Sequence, residues 1–305
     1  MDLDTHCFTY GGCAIDWSGG NRMIQISIII PVYNDTERLA LCLARLAAQS
    51  VPRSSYEVIV VDNNSTTEIR SVCAEYGARY EFEARPGSYA ARMQGVRVAK
   101  GAYLGFTDSD CVPAHDWIER ATAHLERMPP RSFLGGRIDL FARCPDGPTA
   151  VELYELEFGF PQRRYVGEGW AATANMWTRA SMFAQEGGFS IALQSGGDRD
   201  WGQRMTARGA TGVYADDVIV AHPARATYAE LRAKVRRIAR GFAAASDVRV
   251  RTRFVVGHLL PPVTRFARIA IRPGLDARQK LAVASIVLLH RAWTLTDYVR
   301  ALRDV

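Results

Sequence analysis

The sequence lacks the features that mark membrane-spanning, secreted and zinc-binding proteins. No window approaches the roughly 18 apolar residues that a membrane span requires, and the apolar segment at 281–289 is far shorter. No basic segment followed by an apolar one marks a signal peptide at the N-terminus. The six cysteines form no C-x-x-C pair and have no histidine at zinc-ligand spacing. We therefore expect reduced thiols in a cytoplasmic protein.

Three common catalytic signatures are also absent. No glycine-rich phosphate loop follows the first apolar run, which argues against a sugar-nucleotide pyrophosphorylase. The absence of G-x-G-x-x-G argues against an NAD-dependent dehydrogenase. The absence of G-x-S-x-G argues against a serine hydrolase of the α/β type.

The positive charge is concentrated in the last quarter of the chain. Residues 225–305 contain 17 Lys and Arg and 5 Asp and Glu, whereas residues 1–224 contain 21 Lys and Arg and 27 Asp and Glu. Together they give the net charge of +6. A basic, partly apolar tail suggests an anionic partner: membrane headgroups, nucleic acid or acidic polysaccharide. A solvated basic face over an apolar stripe is the alternative interpretation of the helix predicted at 227–245.

The first half of the chain alternates predicted strands with predicted helices. The run at 25–32 is largely apolar, as in strands buried on both faces of a parallel sheet. Asn34, with Glu37 three residues later, is expected to cap the helix that follows. This alternation predicts an α/β fold with a doubly wound sheet. The predicted strands are 25–32, 57–61, 79–82, 102–107, 133–141, 213–214 and 218–220, and the predicted helices are 67–76, 89–99, 116–127, 150–160, 196–207 and 227–245.

The stretch YLGFTDSDCVP at 103–113 is the most informative of these. Its apolar strand ends at Asp108 and Asp110, and oxygen ligands of this kind suit a hard divalent cation shared with a substrate phosphate. Asp62 follows another strand, and ligands of such sheets bind beyond the carboxyl ends of the strands. The alternative is that these residues only form the turn after the strand. Glycines at 135–136, inside another strand, predict that a neighbouring group approaches the backbone closely.

Five stretches of the chain form an ordered set: SIIIPVYND (27–35), EVIVVDNNST (57–66), RPGSYAARMQG (85–95), AKGAYLGFTDSDCVP (99–113) and SGGDRDWGQRM (195–205). Taken together, they make residues 24–225 resemble the family 2 glycosyltransferases. The resemblance implies a GT-A fold: a Rossmann-like, mixed, mostly parallel sheet flanked by helices. It also implies inverting transfer of a sugar from a nucleotide-diphosphate donor to an acceptor hydroxyl, assisted by Mg²⁺ or Mn²⁺. We expect a poorly ordered extension at 1–22, this domain at 23–225, and a basic helical region at 226–305.

The resemblance also assigns roles to individual residues of the donor site. Arg92 could instead lie on a solvated helix face, and His222 could be a structural histidine. Pro31 and Tyr33 are implied to line the nucleotide pocket, and Asp62 to bind the base or ribose. Arg92 is implied to contact the donor phosphates. Asp108 is implied to bind the metal and the donor, Asp110 to bind the metal, and His222 to be a third metal ligand or a diphosphate contact.

Asp198 is implied to be the general base that accepts the acceptor's proton. Gly197 stands where the family commonly has Glu, so the motif is incomplete. Asp198 could alternatively cap the helix that begins there, and Asp200 could be first-turn helix charge or an acceptor contact. Three tryptophans could stack on sugar faces, although core packing is expected for at least two of them. They are Trp170, Trp177 and Trp201.

The missing Glu leaves a second functional hypothesis, a nucleotide-sugar-binding scaffold or sensor without catalysis. The expected partners are the donor, an acceptor glycan, glycolipid or small-molecule hydroxyl, and an anionic membrane surface. Nucleic-acid binding would depend on the tail's charge alone, and we expect none. The expected location is cytoplasmic, at the inner face of the membrane.

Overall fold

A computed structural model describes residues 25–143, 147–243 and 248–303. The expected extension at 1–22, and three of the six cysteines, lie outside these ranges. Cys42, Cys73 and Cys111 are buried free thiols.

The strands are β1 Ile26–Val32, β2 Tyr56–Asp62, β3 Arg79–Phe82, β4 Tyr103–Phe106, β5 Val112–Pro113, β6 Ser132–Phe141, β7 Met176–Arg179 and β8 Thr211–Pro223. The helices are α1 Thr36–Ala47, α2 Arg70–Glu75, α3 Ser88–Val98, α4 Trp117–Arg127, α5 Ala150–Phe158, α6 Gln162–Gly167, α7 Ala180–Glu186, α8 Gly197–Ala207, α9 Tyr228–Ala243, α10 Val248–Leu259, α11 Val263–Ile271 and α12 Ala277–Arg303.

The strands form one sheet in the order β3-β2-β1-β4-β7-β6-β8-β5. β3, β2, β1 and β4 are mutually parallel, and β8 is parallel to β6. β7 runs antiparallel to both β4 and β6, and β5 runs antiparallel to β8. The predicted mixed, mostly parallel sheet flanked by helices is confirmed.

Strand β1 is buried along its whole length because helices cover both faces of the sheet. Ile28 and Ile30 pack in one core cluster with Leu39 of α1. Ile29 points to the other face and packs in a second cluster with Tyr89 of α3. All seven residues of β1 are buried.

Two local predictions are wrong. Asn34 does not cap α1: its backbone is left-handed, with a φ of 51°, and its side chain accepts a hydrogen bond from the backbone N–H of Thr66 at 2.7 Å. It therefore joins the loop after β1 to the loop after β2. The two short strands predicted at 213–214 and 218–220 are one strand, β8, whose register with β6 shifts between Gly136 and Arg137.

The predicted close approach at Gly135–Gly136 is confirmed. A Cβ on Gly136 would lie 2.4 Å from Asn175 Nδ2 and 2.4 Å from the carbonyl oxygen of Val218. The buried Asn175 amide donates hydrogen bonds to the carbonyls of Arg137 (2.8 Å) and Val218 (2.9 Å). The irregular part of the β6–β8 pair thus holds the short 3₁₀ segment Thr173–Asn175 in place before β7.

The C-terminal helices pack on α5 and on one another. Tyr154 of α5, Leu231 of α9, Ile269 of α11 and Ile286 of α12 belong to one buried cluster. Among the described helices, none is by itself long and apolar enough to cross a membrane. The bent pair Arg251–Leu259 and Val263–Ile271 meets that length and composition together.

Candidate functional site

The candidate site lies beyond the carboxyl ends of β1, β2 and β4. Val32 and Asp62, the last residues of β1 and β2, are paired in the sheet, so the loops after these strands leave the same edge. The loop after β4 carries Asp108 and Asp110 to that edge. A cavity of about 310 Å³ opens there. Its walls include Pro31, Tyr33, Asp35, Asn63, Ser88, Tyr89, Arg92, Asp108, Ser109, Asp110, Phe160, Thr173, Asp198, His222, Arg225 and Arg237.

One wall brings together Asp108, Asp110, Cys111 and His222. One ligand atom from each of the four lies within 4.8 Å of the others, and His222 Nε2 is 3.5 Å from Asp110 Oδ1. His222 Nδ1 donates a hydrogen bond to the carbonyl of Pro223 at 2.8 Å, so Nε2 is the ring nitrogen that faces the carboxylates. The structure thus places His222 with the two aspartates, as the sequence analysis expected of a third ligand.

The electrostatics of this cluster suit a hard divalent cation. Burial raises the pKa of Asp110 above its ordinary value, and the Asp108 and Asp35 carboxylates raise it further, whereas His222 opposes the rise. A cation among these groups would offset that repulsion. Burial also raises the pKa of the Cys111 thiol well above its usual range, so the thiol stays protonated. The ligands that fit the site are therefore Asp108, Asp110 and His222, an oxygen and nitrogen set that suits Mg²⁺ or Mn²⁺.

Arg92 is buried in α3, and the solvated-face alternative is wrong. Its guanidinium forms an ion pair with Asp108. Its Nε has no hydrogen-bond partner in the described part of the chain. A buried guanidinium with a free donor beside a carboxylate cluster can bind a phosphate oxygen.

Asp198 lies on the cavity wall in the first turn of α8. Gly196, with a left-handed φ of 78°, precedes the helix as its N-cap, so the alternative that Asp198 caps the helix is wrong. Asp198 Oδ1 accepts hydrogen bonds from the Tyr89 hydroxyl (2.9 Å) and from the backbone N–H of Arg199 (2.9 Å). Oδ2 faces the backbone N–H of Thr173 at 3.3 Å.

The presence of glycine at position 197 has a steric cause that the sequence did not reveal. A Cβ at this position would lie 2.8 Å from the Tyr89 ring, and Tyr89 is the side chain that binds Asp198. A longer residue would displace this tyrosine. Asp200 forms an ion pair with Arg204 one turn later, at 3.0 Å, which fits its interpretation as helix charge.

The nucleotide-pocket candidates divide into two groups. Pro31 and Tyr33 line the cavity, and Tyr33 is exposed. Asp62 is buried and does not line it: its oxygens accept hydrogen bonds from Ser65 N–H (2.9 Å) and the Tyr80 hydroxyl (3.1 Å). The neighbouring Asn63 lines the cavity instead.

The tryptophans mostly belong to the core, as expected. Trp177 and Trp201 are fully buried, and Trp170 stacks on Tyr165 with ring centroids 4.0 Å apart. The wall residues that were not singled out in the sequence include Phe160, Arg225 and Arg237. Only the position of Arg225, three residues after His222, was a usable signal.

Comparison with known proteins gives matches over most of the chain. Residues 27–182 match the family model described as "Glycosyl transferase family 2". Glycosyltransferase AglE of Haloferax volcanii is 34% identical over 223 residues, 71% of this chain and 72% of AglE. A poly(ribitol-phosphate) beta-glucosyltransferase of Bacillus spizizenii is 36% identical over 94 residues, which span 28% of this chain and 15% of that enzyme.

Two solved structures share the fold. The mannosyltransferase PcManGT from Pyrobaculum calidifontis, in complex with GDP-Man and Mn²⁺, has a TM-score of 0.60 at 19% identity. That match covers 95% of this chain and 88% of the other. Residues 1–349 of S. aureus TarS in complex with UDP have a TM-score of 0.55 at 17% identity, covering 92% and 90% of the two chains.

Proposed function

Because this chain belongs to glycosyl transferase family 2, we propose that it transfers a sugar from a nucleotide-diphosphate sugar to an acceptor hydroxyl with inversion at the anomeric carbon. The observation that carries this proposal is the cavity of about 310 Å³, which Asp198 and the Asp108–Asp110–His222 cluster both line. A metal-ligand set and an available carboxylate in one cavity match the two needs of such a transfer, a charge-stabilised leaving group and a base.

Asp198 is the proposed general base. Inversion needs one group that takes the proton of the attacking hydroxyl, and no covalent nucleophile. The two backbone N–H groups and the Tyr89 hydroxyl hold the Asp198 carboxylate in one orientation. Tyr89 is a positioning residue for this base.

The donor binds through other residues of the same cavity in this proposal. Asp108, Asp110 and His222 would hold Mg²⁺ or Mn²⁺, which when bound stabilises the negative charge that develops on the leaving diphosphate. Arg92 donates to a phosphate oxygen of the donor through its unpartnered Nε. Pro31 and Tyr33 contact the nucleotide. Asp62 reads the base or ribose only if its side chain leaves its present hydrogen bonds.

The donor-binding half of the proposal draws further support from the two fold neighbours, which were solved with GDP-Man and UDP. A thermal-shift screen of GDP- and UDP-sugars, with and without Mn²⁺, tests it. We expect one donor to raise the melting temperature only with the metal, because ligand binding to the folded state stabilises it by mass action. Product analysis with that donor then tests for transfer, and a failure of every donor to bind would refute the proposal.

We also propose that α10 and α11 lie on an anionic membrane surface at the cytoplasmic side. Leu260 and Val263, at the junction of the two helices, are 60% and 66% exposed. Arg251 and Arg253 lie on α10 nearby, and exposed apolar residues among basic ones are typical of interfacial helices. Leu260→Asp is expected to abolish co-sedimentation with phosphatidylserine vesicles. Leu41→Asp, at an equally exposed site on α1, is the control and should leave binding intact.

A further inference from the structure

A second cavity, of about 410 Å³, lies between α9 and the segment that leads into α8. Leu193, Gln194 and Ser195 form one side of it. Arg236, Arg237 and Arg240 of α9 line the other. Arg237 also lines the candidate functional site, so this one residue borders both cavities.

These three guanidiniums, which we call the α9 arginine cluster, have no carboxylate partner among the described residues, and none of the lining residues is acidic. Other cations of the same helix are paired. Arg232 forms a two-pronged ion pair with Asp297, at 2.6 and 2.9 Å. Lys234 lies 2.9 Å from Glu155. The unpaired cations of this helix are therefore those that face the cavity.

The exposed guanidiniums of the α9 arginine cluster carry like charges that repel one another. Arg236 and Arg240 are four residues apart on one helix face, where like charges destabilise a helix. A guanidinium binds carboxylate or phosphate through paired donors. Because one guanidinium can satisfy a single carboxylate, three around one cavity suit a group with more than one negative charge, such as a phosphate monoester or diphosphate.

The position of the cavity relates it to the acceptor side of the proposed reaction. Ser195, in its wall, is three residues before Asp198. Gly241 of α9 packs directly on this segment, because a Cβ there would lie 2.8 Å from the Ser195 carbonyl oxygen. The cavity is thus built on the segment that delivers the proposed base.

We propose that the α9 arginine cluster binds a phosphate group carried by the acceptor, so that the acceptor's hydroxyl is presented to Asp198. This inference rests on the proposed function, since it assigns the second cavity to the second substrate. The phosphate could belong to a lipid or to a soluble acceptor, and both share this chemistry.

The test compares Arg236→Gln/Arg240→Gln with Arg127→Gln/Arg278→Gln in the full chain. Both variants remove two positive charges from exposed arginines, and the second leaves the cavity intact. Neither touches the candidate donor site, because Arg237 is kept. Glycerol 3-phosphate represents a soluble acceptor, and its binding is measured by titration calorimetry. Lipid phosphate is represented by phosphatidylcholine vesicles containing phosphatidic acid, compared with vesicles of equal charge containing phosphatidylserine.

We expect the cavity variant to bind at least one of these phosphate probes at least about tenfold more weakly than wild type, since two charge-assisted contacts are lost. The control variant should match wild type. Loss with glycerol 3-phosphate identifies a soluble acceptor, and loss with phosphatidic acid but not phosphatidylserine identifies a lipid one. Absence of phosphate binding by wild type, equal binding by the cavity variant, or an equal loss on both vesicles would overturn the inference.

Titration with GDP and UDP in the presence of Mn²⁺ separates this inference from the proposed function. If wild type binds neither nucleotide, the proposed function fails. If wild type and both variants bind nucleotide equally, and the cavity variant binds phosphate as well as wild type does, only the inference fails. Loss of nucleotide binding in the cavity variant would assign the arginines to the donor and contradict an acceptor role.

Discussion

The Tyr89 hydroxyl donates a hydrogen bond to Asp198 Oδ1 at 2.9 Å, joining residues 109 positions apart in the chain. Tyr89 is buried in α3, and burial raises the pKa of its hydroxyl far above the ordinary value, so the hydroxyl keeps the proton that it donates to Asp198 at neutral pH. This contact links the helix that carries Arg92 to the helix that carries the proposed base. It also requires Gly197, whose missing side chain leaves room for the tyrosine ring.

Asp198→Asn is expected to reduce transfer at least about a hundredfold, because the amide cannot accept the acceptor's proton. Donor binding should stay within about twofold of wild type, since the groups proposed to bind the donor are Arg92 and the metal ligands rather than Asp198. Steady-state transfer and nucleotide titration measure the two effects. Asp200→Asn is the control, because Asp200 pairs with Arg204; an active Asp198→Asn enzyme would exclude this aspartate as the base.

Tyr89→Phe is expected to lower kcat about tenfold while leaving KM for the donor unchanged. The substitution removes one hydrogen bond to the carboxylate, worth roughly 1.5 kcal/mol, and keeps the ring that packs on Gly197. Two backbone N–H groups still hold Asp198, so activity should fall less than in Asp198→Asn. An equal loss in both variants would show that the hydroxyl does more than position the base.

Asp110→Asn is expected to abolish the effect of Mn²⁺ on donor binding, because the proposed cation loses one anionic ligand. Chelation of wild type with EDTA should have the same result and be reversed by added Mn²⁺. Titration of nucleotide with and without the metal is the measurement. Asp116→Asn, at an exposed carboxylate paired with Arg120, should behave as wild type, and a full response to Mn²⁺ in Asp110→Asn would refute this ligand assignment.

Glu155→Gln is expected to lower the free energy of unfolding by about 3 kcal/mol at neutral pH, because it leaves two half-buried cations without their buried counter-ion. Glu155 lies 2.6 Å from Arg225 and 2.9 Å from Lys234. Burial alone would raise the pKa of this carboxyl, but the two cations lower it to about 2 from 4.5. The stabilisation is therefore complete above pH 4.5 and lost as the pH falls toward about 2.

Chemical unfolding across that pH interval measures the linkage. The difference between wild type and Glu155→Gln should shrink as the pH falls, whereas Glu126→Gln, at an exposed position, should track wild type throughout. A difference that stays constant with pH would mean that the loss arises from packing rather than charge.

The sequence by itself determined the fold around the candidate site and the position of Asp108 and Asp110 at the end of a strand. The largely apolar run of β1 predicts a strand covered on both faces, and parallel strands send Asp108 and the loops after β1 and β2 to one edge of the sheet. These inferences depend on local periodicity and on a topology rule, which single segments of sequence contain. The same local reasoning mistook Asn34 for a helix cap, because its partner Thr66 lies 32 residues away.

Only the tertiary structure decided which distant side chains complete the site. It placed His222 beside Asp110, and Tyr89 against Asp198. It also showed that Arg237 borders two cavities and that Gly197 leaves room for a tyrosine ring. Such contacts join segments about a hundred residues apart and depend on how α3, α8, α9 and β8 pack around the sheet. Neither periodicity nor motif spacing records that packing.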